Sequence, residues 1–304
     1  MILVLGDILI DKFSMNKYVK KSPEANVPIV KTEKTITRLG GAANLINNIN
    51  SLNKNCFLVS RIGNKTADRT IVKMLKEKKI KHKLFIQEKF SVGKKSRFYL
   101  NNKQIFRIDN EKNDKLVKII ENKIIQYITK NIKKYSLLVI SDYNKGLINQ
   151  NIFKKITRLF IKEKKTIITN PKKENLNFYK GSNIIVPNEK EFNNFFSNKI
   201  SFKNKINKFF LDKNLKHLII TRGKKKLIHM HNNKKSLYKI KKVKTFDVTG
   251  ASDTFLALLS LCIFKKISIQ KSIKLSIMSA TKVVEKQFTS IITKKEYIKF
   301  QKIL

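Results

Sequence analysis

A short segment near residue 250 combines an anion-binding backbone with a carboxylate that could accept a proton. The segment reads Gly250-Ala251-Ser252-Asp253 and runs into apolar residues that predict a helix beginning near Ala251. Unpaired backbone N–H groups at a helix start favour a bound anion. Asp253 would lie in the first turn beside that anion, where phosphoryl transfer needs a general base. The alternative is a capped helix whose acidic residue suits the helix dipole.

Polar residues near the N-terminus are also placed to meet a ligand. Residues 2–5 form an apolar run that predicts a buried strand, and this strand delivers Asp7 and Asp11 at its carboxyl end. Ligands of open α/β sheets collect at that edge. Residues 40–44 are predicted to begin a helix. The two glycines in this segment permit another group to approach the backbone closely. Asn44 in this segment could contact a hydroxylated ligand, and a purely structural turn is the alternative.

The middle of the chain alternates predicted helices with predicted strands, which indicates βαβ units and a parallel sheet. The strands end in polar clusters at residues 141–146, 170–172 and 187–191. These clusters should share an edge with the acids that follow the first strand. Asn188 and Glu191 lie three residues apart at a helix start, a spacing that is also typical of a capping box.

Two stretches, residues 12–38 and 90–110, are predicted to lie off the main sheet as lid insertions. The second predicts a hairpin that carries Arg97, Arg107 and Asp109. Arginine suits planar, bidentate recognition of a phosphate or carboxylate. A surface ion pair with Asp109 is the alternative explanation of Arg107.

The composition argues against nucleic acid as a specific partner. The chain has 304 residues, with 67 basic and 21 acidic residues and a net charge of +46. The lysines are scattered through nearly every segment, whereas recognition of nucleic acid favours arginine concentrated on one face. We therefore expect no specific nucleic-acid partner. Without an internal repeat, linker or composition break, we expect one domain over residues 1–304.

The cysteines and histidines give little support to redox or metal chemistry. Cys56 and Cys262 lie in apolar runs, which predicts buried, inert thiols in a reducing cytoplasm. His229 and His231 share one face of a predicted strand, but two ligands without a third do not make a metal site. No signal peptide or membrane-spanning run is present, so we expect a cytoplasmic protein that does not bind a membrane.

The sequence contains neither the P-loop pattern nor the glycine pattern of dinucleotide-binding proteins. Three other motifs remain as candidates for a ligand-binding site. They are an early Gly-Gly, an Asn-x-x-Glu, and a late Asp-x-Thr-Gly-Ala-x-Asp. In this order and spacing they resemble the ribokinase-like carbohydrate kinases of the PfkB family over the whole chain. The resemblance implies an α/β fold with three layers, a mostly parallel central sheet and a small β lid. It also implies transfer of a phosphoryl group from ATP, with Mg²⁺, to a sugar, and homodimer contacts through the lid.

Finer features look like the kinase half of the bifunctional heptose enzymes of lipopolysaccharide-core synthesis. They are Gly6-Asp7 with Asp11, and residues 22–28, 40–44, 107–109, 141–146 and 187–191. This resemblance implies phosphorylation of C1 of D-glycero-β-D-manno-heptose 7-phosphate to the 1,7-bisphosphate, with the nucleotidyltransferase half absent. The alternatives are a family kinase for another sugar, or a catalytically impaired relative that binds sugar or nucleotide.

The resemblance also implies roles for individual residues. Asp253 would deprotonate the sugar hydroxyl, while the N–H groups of Gly250, Ala251 and Ser252 stabilise the charge on the phosphoryl group. Asn188 and Glu191 would position Mg²⁺ through water and nucleotide phosphates. The sugar hydroxyls would contact Asp11, Gly41, Asn44 and Asp142, and the 7-phosphate would contact Arg107 and Lys145. The nucleotide would lie beside Asn188, Glu189, Lys190, Glu191, Thr221 and Gly223.

Four positions depart from the family pattern. Ser252 replaces a second glycine, and it leaves the backbone usable if its φ is negative. Asn170 replaces an acid before Pro171, which removes a charge near the phosphates. Asn64 also replaces an acid, and the segment around Phe288 lacks an expected glycine, a change that could alter the adenine or monovalent-cation edge.

Overall fold

A nine-stranded sheet and a separate four-stranded sheet organise the chain in the computed structural model, which describes residues 1–196 and 200–304. In chain order the strands are β1 (Ile2–Gly6), β2 (Ile8–Lys21), β3 (Pro28–Gly41), β4 (Cys56–Ile62), β5 (His82–Ile86), β6 (Gly93–Leu100), β7 (Lys103–Asn110), β8 (Leu137–Ser141), β9 (Thr166–Asn170), β10 (Ile184–Ile185), β11 (His217–Ile220), β12 (Leu227–His231) and β13 (Lys234–Tyr238).

The large sheet has the order β13-β12-β11-β10-β9-β8-β1-β4-β5. Neighbours are parallel from β11 to β5, and the two edge strands β12 and β13 are antiparallel. The register aligns Gly6 with Ser141 and Ser141 with Asn170. The carboxyl ends of three central strands therefore meet at one edge, where the polar clusters follow them.

Helices cover both faces of this sheet. They are α1 (Ala42–Leu52), α2 (Thr66–Glu77), α3 (Lys118–Asn131), α4 (Gln150–Lys162), α5 (Glu189–Asn193), α6 (Phe202–Asp212), α7 (Ala251–Phe264), α8 (Ile269–Val284) and α9 (Lys294–Ile303). Short 3₁₀ turns span Ile132–Lys134 and Lys173–Phe178. None of the helices in the described residues is long and apolar enough to cross a membrane.

The apolar run of β1 shows why the central strands lack polar alternation. Successive side chains of a strand point to opposite faces. Ile2 and Val4 pack into the core that includes α1, α7 and α8, while Leu3 and Leu5 pack into the core that includes α3, α4 and α6. Because both faces are covered, every position of the strand is apolar.

The four-stranded sheet, which we call the lid, has the order β3-β2-β6-β7. It spans residues 8–41 and 93–110, somewhat more than the two stretches expected from sequence. β2 and β6 pair in parallel, and each hairpin is antiparallel. Asn101 and Asn102 have φ values of 48° and 63°, which suit the tight turn between β6 and β7.

The mostly parallel sheet with helices and a small lid confirms the expected fold class. At one edge of the large sheet, β12 and β13 form an antiparallel hairpin whose second strand spans Lys234–Tyr238. Asn232 and Asn233, with φ values of 46° and 57°, form a two-residue turn that brings the chain back at once. Helix α6 was not anticipated from the sequence.

Candidate active site

The backbone at the start of α7 adopts a conformation that favours glycine at position 250. Gly250 is the N-cap with a φ of 83°, in the left-handed region that favours glycine. A Cβ at this position would lie 2.9 Å from Asn44 Nδ2. Ser252 follows in the first turn with a negative φ, so its side chain does not prevent the backbone from serving an anion.

The free N–H groups at this helix start differ from the expected set. The N–H of Ala251 donates to the carbonyl of Val248 at 3.2 Å, which corrects the expectation that it lies open to an anion. Among the described residues the N–H groups of Gly250 and Ser252 have no acceptor. These two groups are therefore available to a bound phosphoryl group.

Asp253 is buried and held by two neutral donors. Its Oδ2 accepts a hydrogen bond from Asn44 Nδ2 at 2.8 Å, and its Oδ1 accepts one from the Tyr143 hydroxyl at 2.5 Å. Burial raises the pKa of Asp253 to about 6, although both hydrogen bonds act in the opposite direction. A carboxylate that is ionised at neutral pH, with a pKa close to that pH, suits general-base work.

A cavity of about 400 Å³ opens between the lid, the carboxyl edge of the large sheet and the start of α7. It brings together many of the residues that the sequence predicted. Those lining it are Asp11, Gly41, Arg107, Asn188, Glu191, Thr221, Gly250, Ser252 and Asp253. We call this the substrate cavity.

The lid supplies two arginines to the substrate cavity, and both have carboxylate partners. Arg97 Nη1 lies 2.7 Å from Asp11 Oδ1 in a buried ion pair. Thr289 donates to the other oxygen of Asp11 at 3.3 Å. Burial raises the pKa of Asp11, and Arg97 opposes that shift. Arg107 pairs with Asp109 at 2.8 Å and is half-exposed, so the alternative explanation from sequence is also present in the structure.

Three residues expected to contact the substrate, Asn44, Asp142 and Lys145, do not line the substrate cavity, and their contacts with substrate stay predictions. Lys145 Nζ lies 3.2 Å from Glu111, which also pairs with Lys95 at 3.4 Å. Lys95, which the sequence did not single out, does line the cavity. Asp142 is fully buried and accepts a hydrogen bond from Tyr179 at 2.5 Å. Burial, followed by the charge of Asp7, raises the pKa of Asp142 to about 6, against the hydrogen bonds that its oxygens accept.

A second cavity, of about 380 Å³, adjoins the first and is mostly apolar. Both cavities are bordered by Asn188, Thr221, Val248, Ser252 and Phe255. The second continues along Gly223, Leu227, Val243, Ile277, Ala280 and Val284. We call it the nucleotide cavity, because an apolar slot suits a base and its polar end meets the start of α7.

Glu189 and Lys190 border neither cavity, and their expected place beside the nucleotide stays a prediction. Glu189 pairs with Arg222 at 2.7 Å and with Lys225 at 3.3 Å. Hydrogen bonds from these cations lower the pKa of Glu189 against the opposing effect of burial. Its carboxylate therefore holds the loop after β11 to α5.

Asn188 and Glu191 form a capping box at the start of α5. Asn188 Oδ1 accepts from the N–H of Glu191 at 2.8 Å, and Glu191 Oε2 accepts from the N–H of Asn188 at 3.0 Å. The other oxygen of Glu191 forms an ion pair with Lys172. Both residues line the substrate cavity, but the described residues contain no group of three or more acids, histidines or cysteines that could hold a metal. The donor set therefore fits Mg²⁺ bound through water and phosphates, not a cage of protein ligands.

Two cavity residues, Tyr143 and Lys172, escaped the sequence reasoning. The Lys172 ammonium lies 5.4 Å from the centre of the Tyr143 ring. Both residues follow strands whose ends were predicted to face the ligand, and that position was the available signal. Their contacts with Asp253 and Glu191 depend on side-chain directions that a sequence pattern does not contain.

The histidine cluster at the sheet edge has a third member. His217 Nδ1 lies 3.0 Å from His229 Nε2, and the ring of His217 stacks on that of His231 at 4.4 Å. Stacked rings do not converge on a point, and no metal-binding group is found in the described part of the chain. Cys56 and Cys262 are free and buried as predicted, and burial raises their pKa values to about 12 and about 11.

Known proteins share this architecture. Residues 1–295 match the pfkB family carbohydrate kinase model. The chain is similar to Bifunctional protein HldE of Campylobacter concisus, with 37% identity over 94% of this chain and 61% of that protein. HldE of Blochmanniella pennsylvanica is 32% identical over 95% of this chain and 61% of its own length. The chain thus spans about three fifths of the length of these curated relatives.

Solved structures show the same fold. Phosphofructokinase-2 from Escherichia coli, in complex with substrates and products, has a TM-score of 0.79 at 12% identity, covering 100% of this chain and 99% of that one. Ribokinase from Thermotoga maritima has a TM-score of 0.75 at 19% identity, covering 99% of each chain. At such identities the likeness supports the ribokinase-like α/β fold alone.

Proposed function

Because the chain belongs to the pfkB family of carbohydrate kinases, whose members use ATP, we propose that it phosphorylates C1 of D-glycero-β-D-manno-heptose 7-phosphate. The observation that carries the reaction type is the meeting of two cavities at the start of α7, beside Asp253. The heptose substrate is supported by the sequence features shared with the heptose kinases and by the similarity to HldE over 94% of the chain.

In the proposed reaction Asp253 takes the proton of the C1 hydroxyl as the sugar oxygen attacks the γ-phosphorus of ATP. The new bond is sugar oxygen to phosphorus, the bond that breaks is phosphorus to the β–γ bridging oxygen, and ADP leaves with that electron pair. The N–H groups of Gly250 and Ser252 would stabilise the charge on the transferring group. Burial of the base excludes water that would otherwise compete for the phosphoryl group.

Mg²⁺ is typical of these kinases, and Asn188 and Glu191 are the residues that would hold it, through water. When bound it would neutralise charge on the nucleotide phosphates. The capping box fixes the direction of both side chains, and the ion pair with Lys172 fixes one oxygen of Glu191. The protein thus contributes oriented oxygens to the substrate cavity, and Asn188 lies where that cavity meets the nucleotide cavity.

The 7-phosphate would bind at the lid side of the substrate cavity. Arg107 and Lys95 line that side, and Arg107 remains half-exposed and so able to turn toward a phosphate. Lys145 would take part if its ammonium left Glu111. A doubly charged phosphate competes well for these cations, because its hydrogen bonds are charge-assisted.

The lid would also carry a homodimer contact. Its outer part exposes several apolar side chains, among them Tyr18, Val19, Ile105 and Phe106. An exposed apolar patch of this kind is typical of an interaction surface. The use of ATP and the free thiols are consistent with a cytoplasmic enzyme, which is the compartment we propose.

An ADP-release assay against a panel of sugars tests the substrate. The panel contains heptose 7-phosphate, the unphosphorylated heptose, ribose and fructose 6-phosphate, and ³¹P NMR identifies the phosphorylated carbon. A site that pairs a phosphate should prefer the phosphorylated heptose by roughly 10²-fold or more in kcat/KM, since its cations would otherwise be left unpaired. Equal turnover of ribose and heptose 7-phosphate would refute the heptose assignment, while the family membership would stand.

A further inference from the structure

Tyr143 lies at the wall of the substrate cavity, and backbone hydrogen bonds to Asp7 hold the loop that carries it. The N–H of Tyr143 donates to Asp7 Oδ2 at 3.1 Å, and the same oxygen accepts from the N–H of Lys145 at 3.1 Å. The other oxygen of Asp7 accepts from the N–H of Leu147 at 3.2 Å. Asp7 follows β1 directly, so the loop after β8 is attached to the end of a neighbouring interior strand of the large sheet.

The two oxygens of Asp253 have donors of different kinds. Asn44 donates to Oδ2 from α1, and it is itself held by Asn48, whose Nδ2 lies 3.0 Å from the Asn44 carbonyl. Tyr143 donates to Oδ1. Of these two donors, Tyr143 lines the substrate cavity and Asn44 does not. The donor that a bound sugar meets is therefore the tyrosine hydroxyl.

We propose that Tyr143 is a positioning residue for phosphoryl transfer, whose hydroxyl holds the Asp253 carboxylate in the orientation that receives the proton of the sugar. With donors on both oxygens the carboxylate cannot rotate freely, so the base is oriented before the substrate binds. The inference rests on Asp253 acting as the base in the proposed function.

The charges around Asp253 determine the direction of the effect. Burial raises its pKa, Asp11 raises it further, and Tyr143, Asn44 and Lys172 lower it. A hydroxyl that donates to a carboxylate stabilises the ionised form. The pKa of Tyr143 itself is raised well above its usual range by burial and by Asp253, so the tyrosine stays protonated and cannot replace the aspartate as base.

The test is the pH profile of kcat/KM for Tyr143→Phe, measured from pH 5 to 9 with heptose 7-phosphate. Loss of the donor should raise the pKa of the base, so the acid limb should move upward by about one pH unit. Activity at pH 6 should then fall severalfold, and the deficit should narrow above pH 8. A purely structural role would instead lower activity equally at every pH.

Tyr179→Phe is the matched control. Tyr179 donates to Asp142 Oδ2 at 2.5 Å in a more deeply buried pair, but it does not line the substrate cavity. Its loss should leave the acid limb in place. Site-specific 3-fluorotyrosine at position 143 keeps the shape and strengthens the donor, so the acid limb should move to lower pH even if Tyr143→Phe folds poorly.

The double variant that combines Tyr143→Phe with Asp253→Asn distinguishes a failure of this inference from a failure of the proposed base. If Tyr143 acts through the base, Tyr143→Phe should lower turnover little further once Asp253 is replaced. An inactive Asp253→Asn protein together with an unmoved acid limb in both position-143 variants would overturn this inference alone. Near-normal turnover of Asp253→Asn would overturn the inference and the proposed base together.

Discussion

Replacement of Asp253 by asparagine should weaken catalysis and strengthen the fold. The substitution keeps the size of the side chain and one oxygen for the two donors, Asn44 and Tyr143, that contact it. It also removes the negative charge of a buried carboxylate whose two hydrogen-bond donors are uncharged. Without a group to accept the sugar proton, turnover should fall by roughly 10²-fold or more, the scale of general-base catalysis.

The expected change in the free energy of unfolding follows from the raised pKa of Asp253. Burial raises the pKa of Asp253 from 3.8 to about 6, so ionisation is harder in the folded protein than in the unfolded chain. The stabilisation from the neutral form is complete below pH 3.8 and is lost as the pH rises through 6. Two pH units correspond to about 3 kcal/mol. Asparagine stays neutral, so at pH 8 the variant should unfold with a free energy up to about 3 kcal/mol higher, and near pH 4 the advantage should vanish.

Thermal and denaturant unfolding at pH 4 and pH 8, with steady-state kinetics on the same samples, measure both effects. Asp68→Asn is a matched control, because Asp68 is also a buried acid in the first turn of a helix. It accepts from the N–H groups of Gly63, Lys65 and Val92, so its replacement should destabilise the protein. If Asp253→Asn instead lost about 0.3–1 kcal/mol of stability and kept its turnover, Asp253 would be a helix-terminal acid and the reasoning would be wrong.

Four further substitutions test other parts of the site. Glu191→Gln should raise the Mg²⁺ concentration for half-maximal rate by about tenfold, and an unchanged Mg²⁺ titration would leave Glu191 with the capping role alone. Gly250→Ala should reduce turnover strongly and lower the melting temperature, because the φ of 83° and the 2.9 Å approach to Asn44 leave no room for a Cβ; a fully active, equally stable variant would contradict this. Arg107→Met should raise the KM for heptose 7-phosphate by about tenfold or more, and Lys145→Met should have a smaller effect because its ammonium pairs with Glu111. The opposite ranking of KM values would place the phosphate at Lys145.

The layout of the fold could be predicted because it depends on periodicity and on strand order. The apolar run at residues 2–5 predicted a strand covered on both faces, and the alternation after residue 116 predicted parallel neighbours. Parallel strands place their carboxyl ends at one edge. The polar clusters there could be assigned to a ligand-binding edge without any knowledge of the side-chain contacts.

The side-chain partners could not be predicted, because they depend on groups distant in sequence. Lys145 was predicted to bind a phosphate, but its partner Glu111 lies 34 residues earlier, directly after the last strand of the lid hairpin. Asn44 appeared suited to a sugar, but it donates to Asp253, 209 residues later. A lysine or an asparagine has several rotamers, and only the tertiary surroundings choose among them.

The partners of the cavity carboxylates show which of them can act as the base. In the described residues Asp11, Glu191 and Asp253 line the substrate cavity. Asp11 is paired with the buried guanidinium of Arg97, and Glu191 is paired with Lys172. If either carboxylate accepted a proton, it would leave its partner cation with an uncompensated charge, which is costly in a buried site.

Asp253 differs from these two acids because both of its donors, Asn44 and Tyr143, are uncharged. When it accepts a proton, no buried cation loses a partner, and the desolvation that raised its pKa is relieved. Protonation of Asp253, the cavity carboxylate that lies at the start of α7, therefore breaks no ion pair, whereas protonation of Asp11 or Glu191 would break one. The charge of Lys172 lowers the pKa of Asp253, but its ammonium is paired with Glu191. A cation paired directly with Asp253 would lower that pKa further and weaken the affinity of the carboxylate for the proton of the sugar.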